Sequence, residues 1–179
     1  MIKLNMNNKN NTIYKTIFPS PLGDLYALSF ENHLIMLSFN QDDLIEKRVK
    51  ELRKYLKANI IKNDELELFK DLKMQLEEYF AKKREKFEIP IKLYGTPFQI
   101  EVWKALQKIP YGETISYKKE AQMIGNAKAF RAVANANGKN DISIIIPCHR
   151  VIASGGKIGG YTGGVWIKEF LLKLEGVIK

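Results

Sequence analysis

Cysteine is all but missing from this chain: Cys148 is the only one in 179 residues. No intramolecular disulfide can form, and a zinc site built on several thiolates is excluded. Histidine is nearly as scarce, with His33 and His149 alone. A metal centre would have to rest on carboxylates, and no tight carboxylate cluster with a histidine suggests one, so neither metal nor cofactor is expected. There is no run of about 18 apolar residues, the length a membrane span requires. The start, Met1 to Asn11, is rich in Asn and Lys and lacks the apolar stretch of a signal peptide. It is read as the frayed terminus of a cytoplasmic protein, and a monomer is expected.

What is present is ordinary for a globular chain, with 45% apolar and 27% charged residues. The formal net charge is +9, and its placement is uneven. Residues 1–92 carry 17 Lys/Arg against 14 Asp/Glu, whereas residues 93–179 carry 12 against 6. A polyanion should therefore meet the second half. The Lys82 to Glu88 charge cluster, followed by Ile89-Pro90-Ile91, marks the exit from a first domain (1–92) into a second (93–179).

In the first domain, Ile13–Phe18, Leu25–Phe30 and Leu34–Phe39 read as strands, with Pro19–Asp24 as a turn and His33 as a polar residue at a turn tip. Asp42 to Ala58 has the apolar spacing of an amphipathic helix. A second helix is expected to be capped by Asp64 with Glu67 three residues on, its apolar face running from Leu66 through Leu76 to Tyr79 and Phe80. The second domain opens on Thr96-Pro97-Phe98-Gln99, which predicts an N-cap, a proline at the first helical position and a capping box.

Farther on, Ser116 can cap a short helix from Tyr117 to Ile124, with Gly125 as its left-handed end. Asn126 is then expected to cap a second helix, from Ala127 to about Ala136. Two short helices on a tight turn suit a helix-turn-helix, or an αα-hairpin packed for stability. The second helix is rich in small side chains, including Ala129 and Ala132, and only Lys128 and Arg131 are long and basic. Such a helix cannot read many base edges; it fits a protein that grips phosphates and groove shape at any sequence.

Ile142–Ile146 reads as a short buried strand that stops at Pro147-Cys148-His149-Arg150. A thiol presented rigidly beside an imidazole is a candidate nucleophile, because neighbouring positive charge favours the reactive thiolate. His149 needs an orienting acceptor, for which Glu175, past the helix Trp166–Leu174, is the best candidate. Three Gly-Gly pairs follow at four-residue intervals, Gly155-Gly156, Gly159-Gly160 and Gly163-Gly164. They either let backbone approach a flat ligand or form a flexible hairpin; no Walker loop is spelled.

Taken in order, Gly95-Thr96-Pro97-Phe98-Gln99, Val102-Trp103, Ile109-Pro110-Tyr111-Gly112-Glu113-Thr114, Ser116-Tyr117, Arg131-Ala132-Val133, Ala136-Asn137-Gly138, Pro147-Cys148-His149-Arg150-Val151-Ile152 and Gly159-Gly160-Tyr161-Thr162-Gly163-Gly164 resemble the O6-alkylguanine-DNA alkyltransferases. The resemblance covers Gly95 to Gly176, and the first half matches in outline. It implies an α/β (α+β) fold: a ribonuclease-H-like sheet-plus-helix domain, then a mostly helical domain with a helix-turn-helix and a short sheet. It also implies direct reversal of O6-alkylguanine, and of O4-methylthymine, in double-stranded DNA, by irreversible transfer of the alkyl group to Cys148. His149 would be the base, acting through water and oriented by Glu175. Tyr117 would assist the leaving group, and Asn140 would shape the site at the thiol. Arg131 would fill the space of the flipped base, with Lys128, Ala129, Ala132, Ser116 and Tyr117 on the DNA. Pro147, Tyr161, Thr162 and Gly163 would line the base pocket. Ala127 and Asp141 stand where the family usually has proline, and Asp141 places a negative charge beside the site. A non-catalytic alkylated-DNA-binding protein or regulator is the alternative.

Overall fold

The computed structural model describes residues 11–39 and 42–179. The expected frayed start falls, but for Asn11, outside the described residues. Three consecutive antiparallel strands, β1 (Thr12–Phe18), β2 (Leu25–Phe30) and β3 (His33–Phe39), are joined by helix α1 (Asp42–Leu56) to a fourth, β4 (Asn59–Lys62). Sheet order is β3-β2-β1-β4, with β4 parallel to β1. The strand β4 was absent from the sequence reading, since its exposed, mixed pattern carries no period-two signal. Glu31 and Asn32 both adopt left-handed φ, at 49° and 57°, giving β2 and β3 a two-residue turn that suits their twist. His33 thus opens β3, opposite Phe30, instead of sitting at the tip.

The sheet buries both faces. Ile13, Leu28, Phe30, Ile35 and Met36 pack with Ile45 and Leu52 of α1. On the other face Leu25, Ala27, Leu34, Leu37 and Phe39 meet helix α2 (Glu67–Phe80) and a core that continues into the second half. The chain between Leu56 and α2 corrects one expectation. Leu66, not Asp64, precedes the first helical turn, and no side chain caps it. Asp64 is drawn away by Thr16, whose hydroxyl donates to it at 2.8 Å, and by Lys62 at 3.0 Å.

Helix α3 (Pro97–Leu106) starts as expected, with the reciprocal Thr96–Gln99 capping box and Pro97 in the first turn. A two-residue strand β5 (Ile115–Ser116) leads into α4 (Tyr117–Met123), where the Ser116 hydroxyl accepts from Lys119 N at 3.1 Å. Gly125, at φ 72°, ends that helix left-handed. Helix α5 begins later than expected, at Phe130, and runs to Asn137. Residues 126–129 form a turn closed by Ala129 N on Asn126 O at 2.9 Å, so Asn126 does not cap the helix with its side chain.

The isoleucine run is buried but is not a strand. Ile142 alone bridges Leu37; Ile144 then takes φ 70°, and Ile146 N returns to Ile142 O at 3.0 Å. Apolar content had signalled burial, which a turn satisfies as well as a strand. This reversal carries the chain into a 3-10 turn at Cys148–Arg150 and then strand β6 (Val151–Ile152), parallel to β5. Helix α6 (Val165–Leu174) closes the fold. Among the described residues no helix is long and apolar enough to cross a membrane.

Candidate active site

Two short devices place the thiol. The β5–β6 pairing sets Ser116 opposite Ile152, so the start of α4 and the end of the Cys148 turn share one scaffold. From the other side, Leu37 N donates to Asp141 O at 2.8 Å and Ser143 N to Leu37 O at 2.7 Å. The outer edge of β3 therefore holds the segment that precedes the nucleophile.

Cys148 is 8% exposed and forms part of the wall of a cavity of about 470 Å³. Tyr117, Asn137, Asn140, Tyr161, Thr162 and Gly163 contribute to the same wall, with Ser38 and Phe39 reaching it from the first half. Pro147, also expected at the base pocket, is buried next to Cys148 in sequence, and its carbonyl accepts from Arg150 N at 2.9 Å in the 3-10 turn. Asn140 Nδ2 donates to Cys148 Sγ at 3.2 Å and to Ile146 O at 2.7 Å. Two glycines of the glycine-rich run approach this site closely. A Cβ on Gly163 would lie 3.2 Å from both Ile167 and the Tyr161 ring, and one on Gly159 would reach the Tyr117 hydroxyl at 3.6 Å.

Behind the cavity lies a wholly buried polar hub. Glu175 Oε1 accepts from Tyr79 at 2.7 Å, from His149 Nε2 at 2.8 Å and from Arg150 Nη2 at 3.0 Å. Oε2 accepts from Arg150 Nε at 2.9 Å. Burial alone would push this carboxyl up, but the His149 and Arg150 hydrogen bonds and charges hold it at about 2. An ionised Glu175 can only accept, so His149 carries its proton on Nε2 and Nδ1 holds the lone pair. Nδ1 is buried and bonded to no described group. Burial also holds the imidazole below its usual range, against the pull of Glu175, so it is neutral at pH 7 with its Nδ1 lone pair available as an acceptor.

The thiol sits in opposing fields. Burial pushes it up, while the Asn140 hydrogen bond and the Lys168 charge favour the thiolate. Burial in turn lowers Lys168 to about 8; its ammonium donates to Val151 O and lies 5.9 Å from the Tyr117 ring centre. The phenols of Tyr117 and Tyr161 are both raised, chiefly by burial, so each can donate a proton or hydrogen bond at neutral pH.

Asp141 is not a free charge at the site. Arg48 of α1 grips it from Nε at 3.0 and 2.9 Å and from Nη2 at 2.7 Å, and also donates to Tyr94 O at 2.7 Å. Arg131, Ala132 and Lys128 are exposed on α5 and the turn before it, well placed for an outside partner, with Ala129 half-buried at the helix start. The Arg131 guanidinium lies 5.9 Å from the Phe130 ring centre. Sequence reasoning missed Tyr79, Lys168 and Arg48. A lysine inside the apolar stripe of α6 is a readable signal for Lys168; Tyr79 looked like plain core, and Arg48 lies 93 residues from its partner.

Comparison with known proteins identifies the family. Residues 13–93 match the 6-O-methylguanine DNA methyltransferase ribonuclease-like domain, and residues 97–177 match the DNA binding domain of the same description. A methylated-DNA–protein-cysteine methyltransferase of Methanosarcina acetivorans is 43% identical over 92% of this chain and 99% of its own. The constitutive one of Bacillus subtilis is 39% identical over 90% and 94%. The crystal structure of Mycobacterium tuberculosis O6-methylguanine methyltransferase superposes with a TM-score of 0.78 at 39% identity, covering 91% of this chain and 92% of that one. Mycobacterium tuberculosis OGT in complex with DNA gives 0.75 at 38% identity, covering 92% of each. The chain belongs to the methylated-DNA–protein-cysteine methyltransferase family.

Proposed function

We propose that this protein repairs DNA by direct reversal, moving a methyl or larger alkyl group from O6-alkylguanine in duplex DNA irreversibly onto Cys148. The observation that carries the reading is a nearly buried thiol facing a cavity, with a neutral, oriented imidazole behind it. Residues 93–179 bind DNA and perform the transfer, residues 1–92 brace them, and one copy suffices.

The base cannot react inside a duplex, so its nucleotide rotates out at a cost of a few kcal/mol in unstacking. Arg131, exposed at the start of α5, fills the gap, while Ser116, Lys128, Ala129 and Ala132 lie along the DNA. In the cavity the Cys148 proton passes through water to His149 Nδ1, and Glu175 stabilises the imidazolium that results. Sulfur attacks the alkyl carbon in line with the carbon–oxygen bond, forming a thioether as that bond breaks. The electron pair leaves on guanine O6, and the Tyr117 hydroxyl supplies the hydrogen bond or proton that makes it a better leaving group. Asn140 holds the sulfur on line; Tyr161, Thr162 and Gly163 hold the base. Nothing cleaves the thioether, so each molecule acts once. O4-methylthymine, with its alkyl–oxygen bond in a similar place, is a second substrate.

Intact-mass spectrometry after mixing with an oligonucleotide carrying O6-methylguanine tests this. A stoichiometric gain of one methyl group, absent in Cys148→Ala, is expected. Tight lesion binding with no gain would leave a non-catalytic DNA-binding protein.

A further inference from the structure

A second buried carboxyl lies in the helix-turn-helix, and the transfer chemistry above makes no use of it. Glu120 of α4 is 0% exposed and faces Asn137, the last residue of α5, which is 6% exposed. Asn137 Nδ2 donates to Glu120 Oε2 at 2.7 Å. The two remaining oxygens, Glu120 Oε1 and Asn137 Oδ1, are both buried and have no hydrogen-bond partner. A proton on Oε1 removes the unpaired charge and would supply the donor that Oδ1 lacks, pairing the two side chains as carboxylic acid and carboxamide. Reversing the amide does not remove the need. Oδ1 would then face Oε2 at the same distance, and the carboxyl would again have to supply the hydrogen.

The charged surroundings favour the acid. No Lys or Arg forms an ion pair with Glu120 among the described residues, and a buried unpaired carboxylate is costly. Lys118 and Lys119 on its own helix are exposed, as are Glu101 and Lys104 on α3 and Arg131 on α5. The ionisable groups that feel it are Tyr117, one turn earlier, and Cys148 on the 3-10 turn; a charge on Glu120 pushes both up. Lys168 on α6 acts on Cys148 and is not paired with Glu120. Burial pushes Glu120 itself up to about 7, the Asn137 bond pulling the other way. Asn137 and Tyr117 both line the alkyl-transfer cavity.

Resting on the alkyl-transfer reading, we propose that Glu120 is a positioning residue. Held as the neutral acid, it clasps α4 to α5 through Asn137, sets the Tyr117 side of the cavity and keeps negative charge away from the forming thiolate. Because its folded value is raised, the stability that the acid form contributes is full below the free carboxyl range and declines as pH rises from there to about 7, where the clasp itself loses its proton.

The test is single-turnover methyl transfer from O6-methylguanine in duplex DNA between pH 6 and 9, with thermal unfolding alongside. Glu120→Gln can form the same paired hydrogen bonds but cannot ionise. It is expected to match wild type within about twofold at pH 6 and to exceed it at least threefold by pH 8.5, as the wild-type melting midpoint falls relative to the variant. Glu120→Leu, uncharged but without the clasp, is expected to fold and to transfer more slowly than Glu120→Gln at every pH. Parallel pH profiles for wild type and Glu120→Gln, or equal rates for the Gln and Leu variants, would overturn the proposal. If Glu120→Gln does not fold, infrared difference spectra of the wild type decide, since a buried protonated carboxyl band must disappear as pH is raised. A wild type that gains no methyl at any pH would sink the alkyl-transfer reading instead, leaving the clasp to be judged by unfolding alone.

Discussion

At the scale of single residues, the site depends on one buried acid being kept charged. Glu175 meets that condition through donors from Tyr79, His149 and Arg150. Its folded value is depressed to about 2, so the stabilisation is present above the free carboxyl range and is lost as pH falls from there toward 2. The shift corresponds to roughly 3 kcal/mol. Glu175→Gln should therefore lower unfolding stability by about 3–5 kcal/mol near pH 7, because Arg150 is left buried without its counter-charge. Urea unfolding at pH 7 and at pH 3 checks this: the difference between variant and wild type should shrink in acid. Cys148, His149 and Glu175 were legible because local chemistry names them; Tyr79 was not, since a tyrosine on an apolar stripe shows its hydroxyl's partner only in three dimensions.

Among the elements, those with self-contained signals were the easiest to read. Helix α3 carries its cap, its proline and its Gln99 within four residues, and they fold as written. Asp64 looked like an equally good cap but was taken by Thr16, 48 residues away. The isoleucine run likewise hid its turn, because β-branched residues look the same in any buried conformation. The exposed start of α5 leads to a prediction at this scale. Arg131→Ala should slow transfer from a duplex by at least tenfold while leaving transfer from the free base O6-benzylguanine within about twofold. Its stability should stay within about 0.5 kcal/mol of wild type, as for other exposed substitutions. Equal losses on duplex and free base, followed by intact mass, would place Arg131 in the chemistry and not in base flipping.

Over the whole molecule, the two halves share one core. The cluster that holds Leu25, Leu34 and Leu37 of the sheet also holds Trp103, Val133, Ile144 and Leu171. Arg48 adds a polar tie, reaching from α1 to Asp141 beside Asn140, whose amide touches the thiol. Composition and motif order led to an expectation of two regions, but not of this contact, which neither segment announces. Arg48→Met should leave the part-buried Asp141 without its counter-charge and cost about 1–3 kcal/mol. The double variant with Asp141→Asn should recover part of that loss. Denaturant unfolding of the four proteins gives the coupling directly, and strict additivity would show that the pair does not couple the halves.

The edge of β3 has one more consequence, for recombination. Its outer side is divided between Pro90–Lys92 and the Asp141–Ser143 segment, through Leu34 and Leu37. A first half transplanted from a relative must therefore present the same register at Leu37, or the segment before the nucleophile loses its template. Shuffled libraries that join parents near residue 92 should favour junctions whose parents match in β3, and ancestry in this chain should track the two halves as one inherited unit.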